Sequence, residues 1–320
     1  MPPQPPPIIS VSLNTAIDRT LEVPGLAVGG HVRGRLLSIQ PAGKAVNVAR
    51  LLGILGSPCV LTGFVGVGDR NWFAKSFAKT PVRVEVFEGR GHTRENITLI
   101  DPPRGIETHI RDAGFPLSED DLERLVKKLG ILATSGGYVL FAGSLPPEMD
   151  AAAFERLLDV CRRKGARVAV DTSGPGLEVV RRGGDLWMVK PNRQELAQMT
   201  GQQAETDDQI RSVAESLRKR IELVVVTLGS EGAYLFSRSA AWRAKARVDP
   251  SEIVNTVGCG DALLAGFVRA HASGVPPEEC LRRGVATGTA KALRVRAGEV
   301  DPDDVRSCYE RTEVAAIHDV

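Results

Sequence analysis

Short runs of almost wholly apolar residues recur along the chain, and they constrain its fold more than any other feature. The clearest runs are residues 8–13, 138–141, 168–170 and 223–228. A strand that is apolar on both faces is typical of a parallel sheet whose two sides are covered by helices. The sequence therefore predicts a mainly parallel sheet at the centre of the protein.

Segments with helical periodicity lie between these runs and have recognisable starts. Ser118 and Asp121 have the spacing of a capping box ahead of an amphipathic segment. Asp301 and Pro302 are typical of an N-cap and a first-turn proline. The alternation of strand and helix over residues 130–300 predicts an α/β fold, a doubly wound sheet flanked by helices.

Two stretches in the N-terminal third, residues 19–38 and 90–112, depart from this rhythm. They alternate apolar and polar residues, as strands with one wet face do in an antiparallel sheet. We expect them to form a small antiparallel sheet that covers the carboxyl edge of the main sheet as a lid. The expected organisation is a disordered proline-rich lead-in at residues 1–7, followed by one domain over residues 8–320.

Composition narrows the classes of function. There are 41 basic and 39 acidic residues, and only 5% of residues are aromatic, so no nucleic-acid surface is expected. Five cysteines without a CxxC pair favour neither a disulfide framework nor a zinc site, and indicate a reducing compartment. No apolar run reaches the roughly 18 residues of a membrane helix. We therefore expect a cytoplasmic protein with no membrane partner.

The segment Asn255-Thr-Val-Gly-Cys-Gly-Asp261, followed by an apolar helix, carries the sharpest chemical signal. Gly258, Cys259 and Gly260 let successive backbone N–H groups converge at a helix start, where anionic oxygens bind. Asp261 there is placed to accept a proton from a hydroxyl group. The alternative is a glycine-rich turn in which Asp261 is an ordinary helix cap.

Other motifs are ambiguous when taken singly. Asn192 and Glu195 have the spacing of a helix cap, or they lie near a hydrated Mg²⁺ ion. Residues 227–232, Thr-Leu-Gly-Ser-Glu-Gly, form a hairpin turn or part of a ligand site. Arg94, between two strand-like runs, is a solvated charge or a ligand contact. No P-loop and no dinucleotide-binding GxGxxG is present.

Taken in order, these motifs resemble the PfkB, or ribokinase-like, family of carbohydrate kinases, from about residue 8 to residue 300. Residues 255–261 are similar to the C-terminal signature of that family. The segments 12–23, 43–50 and 93–96 are similar to its phosphofructokinase branch, most of all to 1-phosphofructokinases, which act on ketohexoses that already carry a phosphate.

The resemblance implies an ATP- and Mg²⁺-dependent kinase that converts fructose 1-phosphate to fructose 1,6-bisphosphate and forms a homodimer through its lid. Phosphorylation of fructose 6-phosphate or tagatose 6-phosphate is the alternative. The roles that it implies are these: Asp261 as base, with Gly258, Cys259 and Gly260 in the anion hole; Asp18, Gly43, Lys44, Asn47, Arg94 and, more weakly, Arg33 for the sugar phosphate; Lys190, Asn192, Thr227, Gly229 and Gly232 for the nucleotide; and Glu195 for Mg²⁺ through water.

The chain departs from the family pattern at Ala42 and Ala45, where this branch usually has glycine. Alanine at position 42 is strained if the backbone there needs a positive φ angle. Ala45 favours a helix, but its methyl group can crowd a substrate. These departures leave open a different class of protein, a sugar-phosphate sensor with weak catalytic activity.

Overall fold

The computed structural model describes residues 6–182 and 185–317. Residues 1–5, most of the predicted lead-in, lie outside this range. Pro7 already belongs to the folded body, because its carbonyl oxygen accepts a hydrogen bond from the Tyr138 amide at 2.8 Å. In the described residues no helix is both long enough and apolar enough to cross a bilayer.

The secondary structure follows the alternation that the sequence predicts. In chain order the strands are β1 (Ile8–Ser12), β2 (Ala16–Glu22), β3 (Arg35–Ala42), β4 (Cys59–Val65), β5 (Val82–Glu88), β6 (Arg94–Asp101), β7 (Ile106–Arg111), β8 (Tyr138–Ala142), β9 (Arg167–Asp171), β10 (Leu186–Val189), β11 (Ile221–Thr227), β12 (Ala233–Ser237), β13 (Ala241–Ala246) and β14 (Thr312–Ile317). The helices are α1 (Lys44–Ile54), α2 (Arg70–Ser76), α3 (Glu119–Leu132), α4 (Ala151–Arg163), α5 (Pro175–Arg182), α6 (Arg193–Thr200), α7 (Asp207–Leu217), α8 (Cys259–Ala272), α9 (Pro277–Ala292) and α10 (Pro302–Glu310).

The main sheet has the strand order β14-β13-β12-β11-β10-β9-β8-β1-β4-β5. It is parallel from β11 to β5 and antiparallel from β11 to β14. Helices α1, α8 and α9 pack on one face, and α3, α4, α6 and α7 pack on the other. The predicted doubly wound α/β fold is confirmed. The chain reverses its direction across the sheet between β1 and β8, where α/β proteins bind ligands at the carboxyl ends of the strands.

A second sheet, which we call the small sheet, has the order β3-β2-β6-β7. Its β2–β3 and β6–β7 pairs are antiparallel, as the sequence predicts, but its central β2–β6 pair is parallel. The alternation of apolar and polar residues shows that one face of a strand is exposed to solvent. It does not determine whether the strand pairs with its neighbour in a parallel or an antiparallel direction. That direction depends on the long path through α1, β4, α2 and β5, which separates β2 from β6.

Candidate active site

The candidate base, Asp261, lies in the first turn of α8 and is 5% exposed. Gly258 precedes the helix with a φ angle of 85°, a left-handed conformation that favours glycine. Burial, helped by the negative charge of Asp171, raises the pKa of Asp261 to about 7. A carboxyl group with this pKa can take up and release a proton near neutral pH.

Asn47 reaches Asp261 from the neighbouring helix. Gly43, with a φ angle of 110°, turns the chain out of β3 into α1, and this places Asn47 one turn into the helix. The Asn47 side-chain amide donates a hydrogen bond to Asp261 Oδ2 at 2.9 Å. That bond stabilises the carboxylate and opposes the rise in its pKa. The contact fixes the orientation of the candidate base.

A cluster of one aspartate and two lysines lies beside Asp261. Asp171, at the end of β9, is 1% exposed, and its two oxygens lie 2.9 Å from Lys44 Nζ and 3.1 Å from Lys190 Nζ. Burial disfavours the charged form of Asp171, but the lysine charges outweigh it and hold its pKa below the usual value. Asp171 in turn raises the pKa of Lys44. Both shifts favour the charged forms of Asp171 and Lys44.

Sequence reasoning missed Asp171. The available signal was its position, since it directly follows the apolar run 168–170, at the carboxyl edge of the predicted sheet. The resemblance implies that Lys44 and Arg94 both hold the sugar phosphate, and the structure gives the two residues different surroundings. Lys44 Nζ contacts Asp171 and lies 3.7 Å from Glu195, whereas Arg94 belongs to the small sheet.

The start of α8 and Lys190 together form a region for anions. A β-carbon at Gly260 would lie 3.1 Å from Lys190 Nζ, so the ammonium group sits against the first turn of the helix. The first N–H groups of a helix have no partner within it and carry partial positive charge. Burial raises the pKa of the Cys259 thiol to about 11, so this residue is not a thiolate nucleophile.

Asn192 and Glu195 form a complete capping box at the start of α6. The Asn192 side chain accepts from the Glu195 amide at 2.8 Å, and the Glu195 carboxylate accepts from the Asn192 amide at 2.9 Å. Within residues 6–182 and 185–317 no group of three or more His, Cys, Asp or Glu side chains is arranged to hold a metal. Glu195 is a carboxylate, the kind of ligand that a hydrated Mg²⁺ ion contacts directly or through water.

The predicted nucleotide loop connects β11 to β12 as a tight turn. A β-carbon at Gly232, where φ is 87°, would collide with the Ala244 carbonyl oxygen, so the fold itself requires this glycine. Gly229 also has a positive φ angle, 63°. The Thr227 amide donates to the Pro191 carbonyl at 3.0 Å, which brings the turn beside the start of α6.

The remaining predicted residues belong to the small sheet. The cross-strand register places Asp18, Asn96 and Arg111 in one row on the same face, and Asn96 donates to Asp18 at 2.8 Å. Burial raises the pKa of Asp18, while the Asn96 bond and nearby arginines, Arg94 among them, oppose the rise. Arg33 is not brought to this row. It is exposed in the loop between β2 and β3.

Ala42 and Ala45 fit the backbone without strain. Ala42 is buried in β3, and among the described residues Glu148 is the one non-glycine residue with a positive φ angle. Ala45 is buried in the first turn of α1, where its carbonyl oxygen accepts from Ser10 at 2.8 Å. The strain considered for Ala42 is therefore absent.

Comparisons with known proteins agree with this architecture. A sequence profile described as "pfkB family carbohydrate kinase" matches residues 9–304. The chain is 35% identical to the 1-phosphofructokinase of Rhodobacter capsulatus, over 87% of this chain and 88% of that protein. It is 30% identical to the 1-phosphofructokinase of Vibrio cholerae, over 97% of both chains.

A solved structure extends the likeness to three dimensions. The crystal structure of phosphofructokinase-2 from Escherichia coli in complex with fructose-6-phosphate matches with a TM-score of 0.86 and 25% identity. The match covers 95% of this chain and 98% of that one. The likeness therefore extends over nearly the whole of both chains.

Proposed function

Because the chain belongs to the pfkB family of carbohydrate kinases, and is a sugar-phosphate kinase of the phosphofructokinase type, we propose that it phosphorylates fructose 1-phosphate to fructose 1,6-bisphosphate with ATP. The observation that carries the chemistry is the buried Asp261 carboxyl group, with a pKa of about 7, at the start of α8. The two 1-phosphofructokinases described above support fructose 1-phosphate as the acceptor.

In the proposed reaction Asp261 takes the proton of the acceptor hydroxyl, and that oxygen attacks the γ-phosphorus of ATP as ADP leaves. Asn47 holds the carboxylate towards the acceptor. A pKa near 7 makes the group basic enough to accept the proton, while about half of it remains ionised at pH 7.

The negative charge on the transferring phosphoryl group would be stabilised by the start of α8 and by nearby lysines. The Lys190 ammonium lies against the first turn of α8, whose N–H groups at Gly258, Gly260 and Asp261 would contact the transferring group; the Cys259 N–H instead donates to the Thr256 carbonyl oxygen at 3.3 Å. Asp171 holds Lys44 and Lys190 in place. A bound Mg²⁺ neutralises phosphate charge, and Glu195 would contact it through water. Asn192, Thr227, Gly229 and Gly232 would line the nucleotide site.

The sugar phosphate is proposed to lie between α1 and the small sheet. Asp18, Gly43 and Asn47 would contact its hydroxyl groups. Arg94 would hold its phosphate, with Lys44 near the transferred group and Arg33 as a weaker candidate. The Arg94 guanidinium donates to the Asn14 carbonyl oxygen at 3.2 Å and has no carboxylate within 4 Å among the described residues, so its charge is available to a phosphate.

Replacing Arg94 tests the phosphate contact. Arg94→Ala is expected to raise the KM for fructose 1-phosphate about 10- to 100-fold, because a hydrogen bond to a charged group contributes about 1.5–3 kcal/mol. The KM for ATP should change little. Initial-rate kinetics check this, with Arg35→Ala, at the far end of the small sheet, as the matched control. Equal increases in both KM values would show that Arg94 does not hold the phosphate.

The function itself is tested by direct measurement of ADP release. Mg·ATP is offered with fructose 1-phosphate, fructose 6-phosphate, tagatose 6-phosphate or unphosphorylated fructose. We expect kcat/KM for fructose 1-phosphate to exceed the others by at least about tenfold, or about 1.4 kcal/mol. A higher kcat/KM for a 6-phosphate would contradict the proposal that fructose 1-phosphate is the acceptor. It would leave the proposed mechanism unchanged.

The second candidate function is phosphorylation of a 6-phosphate. It is favoured by the similarity to the E. coli phosphofructokinase-2, whose structure holds fructose-6-phosphate. The sensor hypothesis loses one of its two motives, because Ala42 does not strain the backbone. Its other motive is that the Ala45 methyl group crowds the substrate. Bound ATP without turnover of any of the four acceptors would favour this hypothesis.

We also propose a homodimer through the small sheet. The register places Ile39, Arg19, Ile97 and Ile110 in one row on the face opposite Asp18, and Ile39 and Ile110 are 43% and 51% exposed. An exposed apolar row on a sheet is typical of an association surface.

Sedimentation equilibrium tests the dimer. The wild-type chain is expected to sediment as a dimer, and the variant Ile110→Glu as a monomer, because the new carboxylate would be buried beside Ile97 without an adjacent partner in its row. Ile131→Glu, at a more exposed apolar site on α3, is the control and should stay dimeric. A monomeric wild type would contradict the proposal.

A further inference from the structure

Lys291 is a fully buried lysine near the end of α9, with 0% of its surface exposed. Its ammonium group donates to the carbonyl oxygens of Asn255 at 2.7 Å and Arg294 at 3.2 Å. Among the ion pairs of the described residues none involves Lys291. The side chain is therefore a buried cation coordinated by main-chain carbonyl groups.

The two carbonyl groups belong to segments that meet at the start of α8. Asn255 opens the stretch that leads into Gly258, and its side-chain amide donates to the Val295 carbonyl at 2.6 Å. Arg294 opens the turn that contains Ala297, and a β-carbon at Gly258 would lie 3.3 Å from the Ala297 side chain. Lys291 thus joins both segments that support the anion-binding turn.

A buried ammonium group without a carboxylate partner is costly, and burial lowers the pKa of Lys291. An apolar side chain at this position would carry no such cost. The charge also has an electrostatic consequence, because Lys291 and Asp261 attract each other across the first turn of α8. Both facts favour a role that needs a cation at this point.

We propose that Lys291 is a positioning residue for phosphoryl transfer: its ammonium group acts as a built-in cation that clamps the two segments and holds the α8 anion-binding turn in its active shape. The proposal rests on the proposed function. Main-chain carbonyl oxygens, of which two contact the Lys291 ammonium, are also ligands of monovalent cations such as K⁺. A lysine fixed among such oxygens makes a free ion unnecessary, and its removal leaves a carbonyl-lined space that an ion can fill.

The kinetic test compares salts at constant ionic strength, with ADP measured directly so that no coupling enzyme responds to the ion. Wild-type kcat should be the same in KCl and in choline chloride. Lys291→Met is expected to lose about tenfold or more in kcat in choline chloride, since small displacements of catalytic groups are expensive. K⁺ or NH₄⁺ should restore part of that loss, with little change in the KM for sugar phosphate.

Lys127→Met, on the exposed surface of α3, is the matched control and should show neither the loss nor the salt response. If Lys291→Met does not fold, Lys291→Gln keeps a donor of similar reach without the charge, and the same response to ions is expected. Wild-type activation by K⁺, or a folded Lys291→Met with unchanged kcat, would overturn the proposal.

A second readout needs no activity. The melting temperature of Lys291→Met should be higher in KCl than in choline chloride, and that of the wild type should not differ between them. A variant whose melting temperature ignores the cation would count against the clamp. If the wild type turned over no sugar phosphate, the proposed function would fail, while this measurement would still test the carbonyl-bound cation.

Discussion

Asp261→Asn is expected to lower kcat by about 10²- to 10⁴-fold, the range that general-base catalysis contributes. The amide preserves the shape of the side chain and removes its ability to accept the proton. The N–H groups of α8 and the two lysines remain, so the Kd for Mg·ATP should change little. Single-turnover kinetics and calorimetric titration with nucleotide separate these two effects.

The pH profile identifies the base more directly. Because the pKa of Asp261 is raised to about 7, the ionised, active form is gained as the pH rises through that value. Wild-type kcat/KM should therefore fall as the pH is lowered through about 7. This fall, the acid limb of the pH profile, should be absent from Asp261→Asn. Asp249→Asn, which alters an exposed aspartate ahead of α8, serves as the control. An unchanged acid limb in Asp261→Asn would assign the proton transfer to another group.

The fold could be predicted from the sequence because the burial of a strand determines which of its consecutive residues are apolar. Val168 to Val170 is apolar on both faces, and it forms the parallel strand β9. Residues 90–112 alternate, and they contain β6 and β7 of the small sheet. The parallel β2–β6 pairing produces no pattern of apolar and polar residues. It depends on where the chain re-enters the sheet and not on which residues are buried.

The candidate site could be predicted where its residues lie together in one short motif, as the glycines and the aspartate do in residues 255–261. Asp171 could not be predicted, because a single aspartate after a strand has the same local pattern as an ordinary cap. Its significance comes from Lys44 and Lys190, which reach it from α1 and from the end of β10. Lys44 illustrates the same limit: its residue type suits a phosphate contact, but its position is fixed by a carboxylate 127 residues away.

Asp171→Asn is expected to reduce both stability and activity. The substitution keeps the volume but leaves the Lys190 ammonium, 5% exposed, without a counter-charge, and the loss of one partner from a buried pair costs about 3–5 kcal/mol. The two lysines lose their common anchor, so kcat should fall by about 100-fold, the cost of small displacements of catalytic groups. Urea unfolding and initial-rate kinetics measure the two effects.

The sign of an accompanying pKa change separates this electrostatic role from simple loss of structure. The charge of Asp171 raises the pKa of Asp261, whereas Lys44 and Lys190 lower it. Without the Asp171 charge, and with both lysines no longer neutralised, the pKa of Asp261 must fall, so the acid limb of kcat/KM should move to lower pH. Asn47→Ala removes a hydrogen bond to the carboxylate and should move the limb to higher pH. Variants that shift the limb in the same direction would show that damage to the fold, and not the charge on Asp171, governs the candidate base.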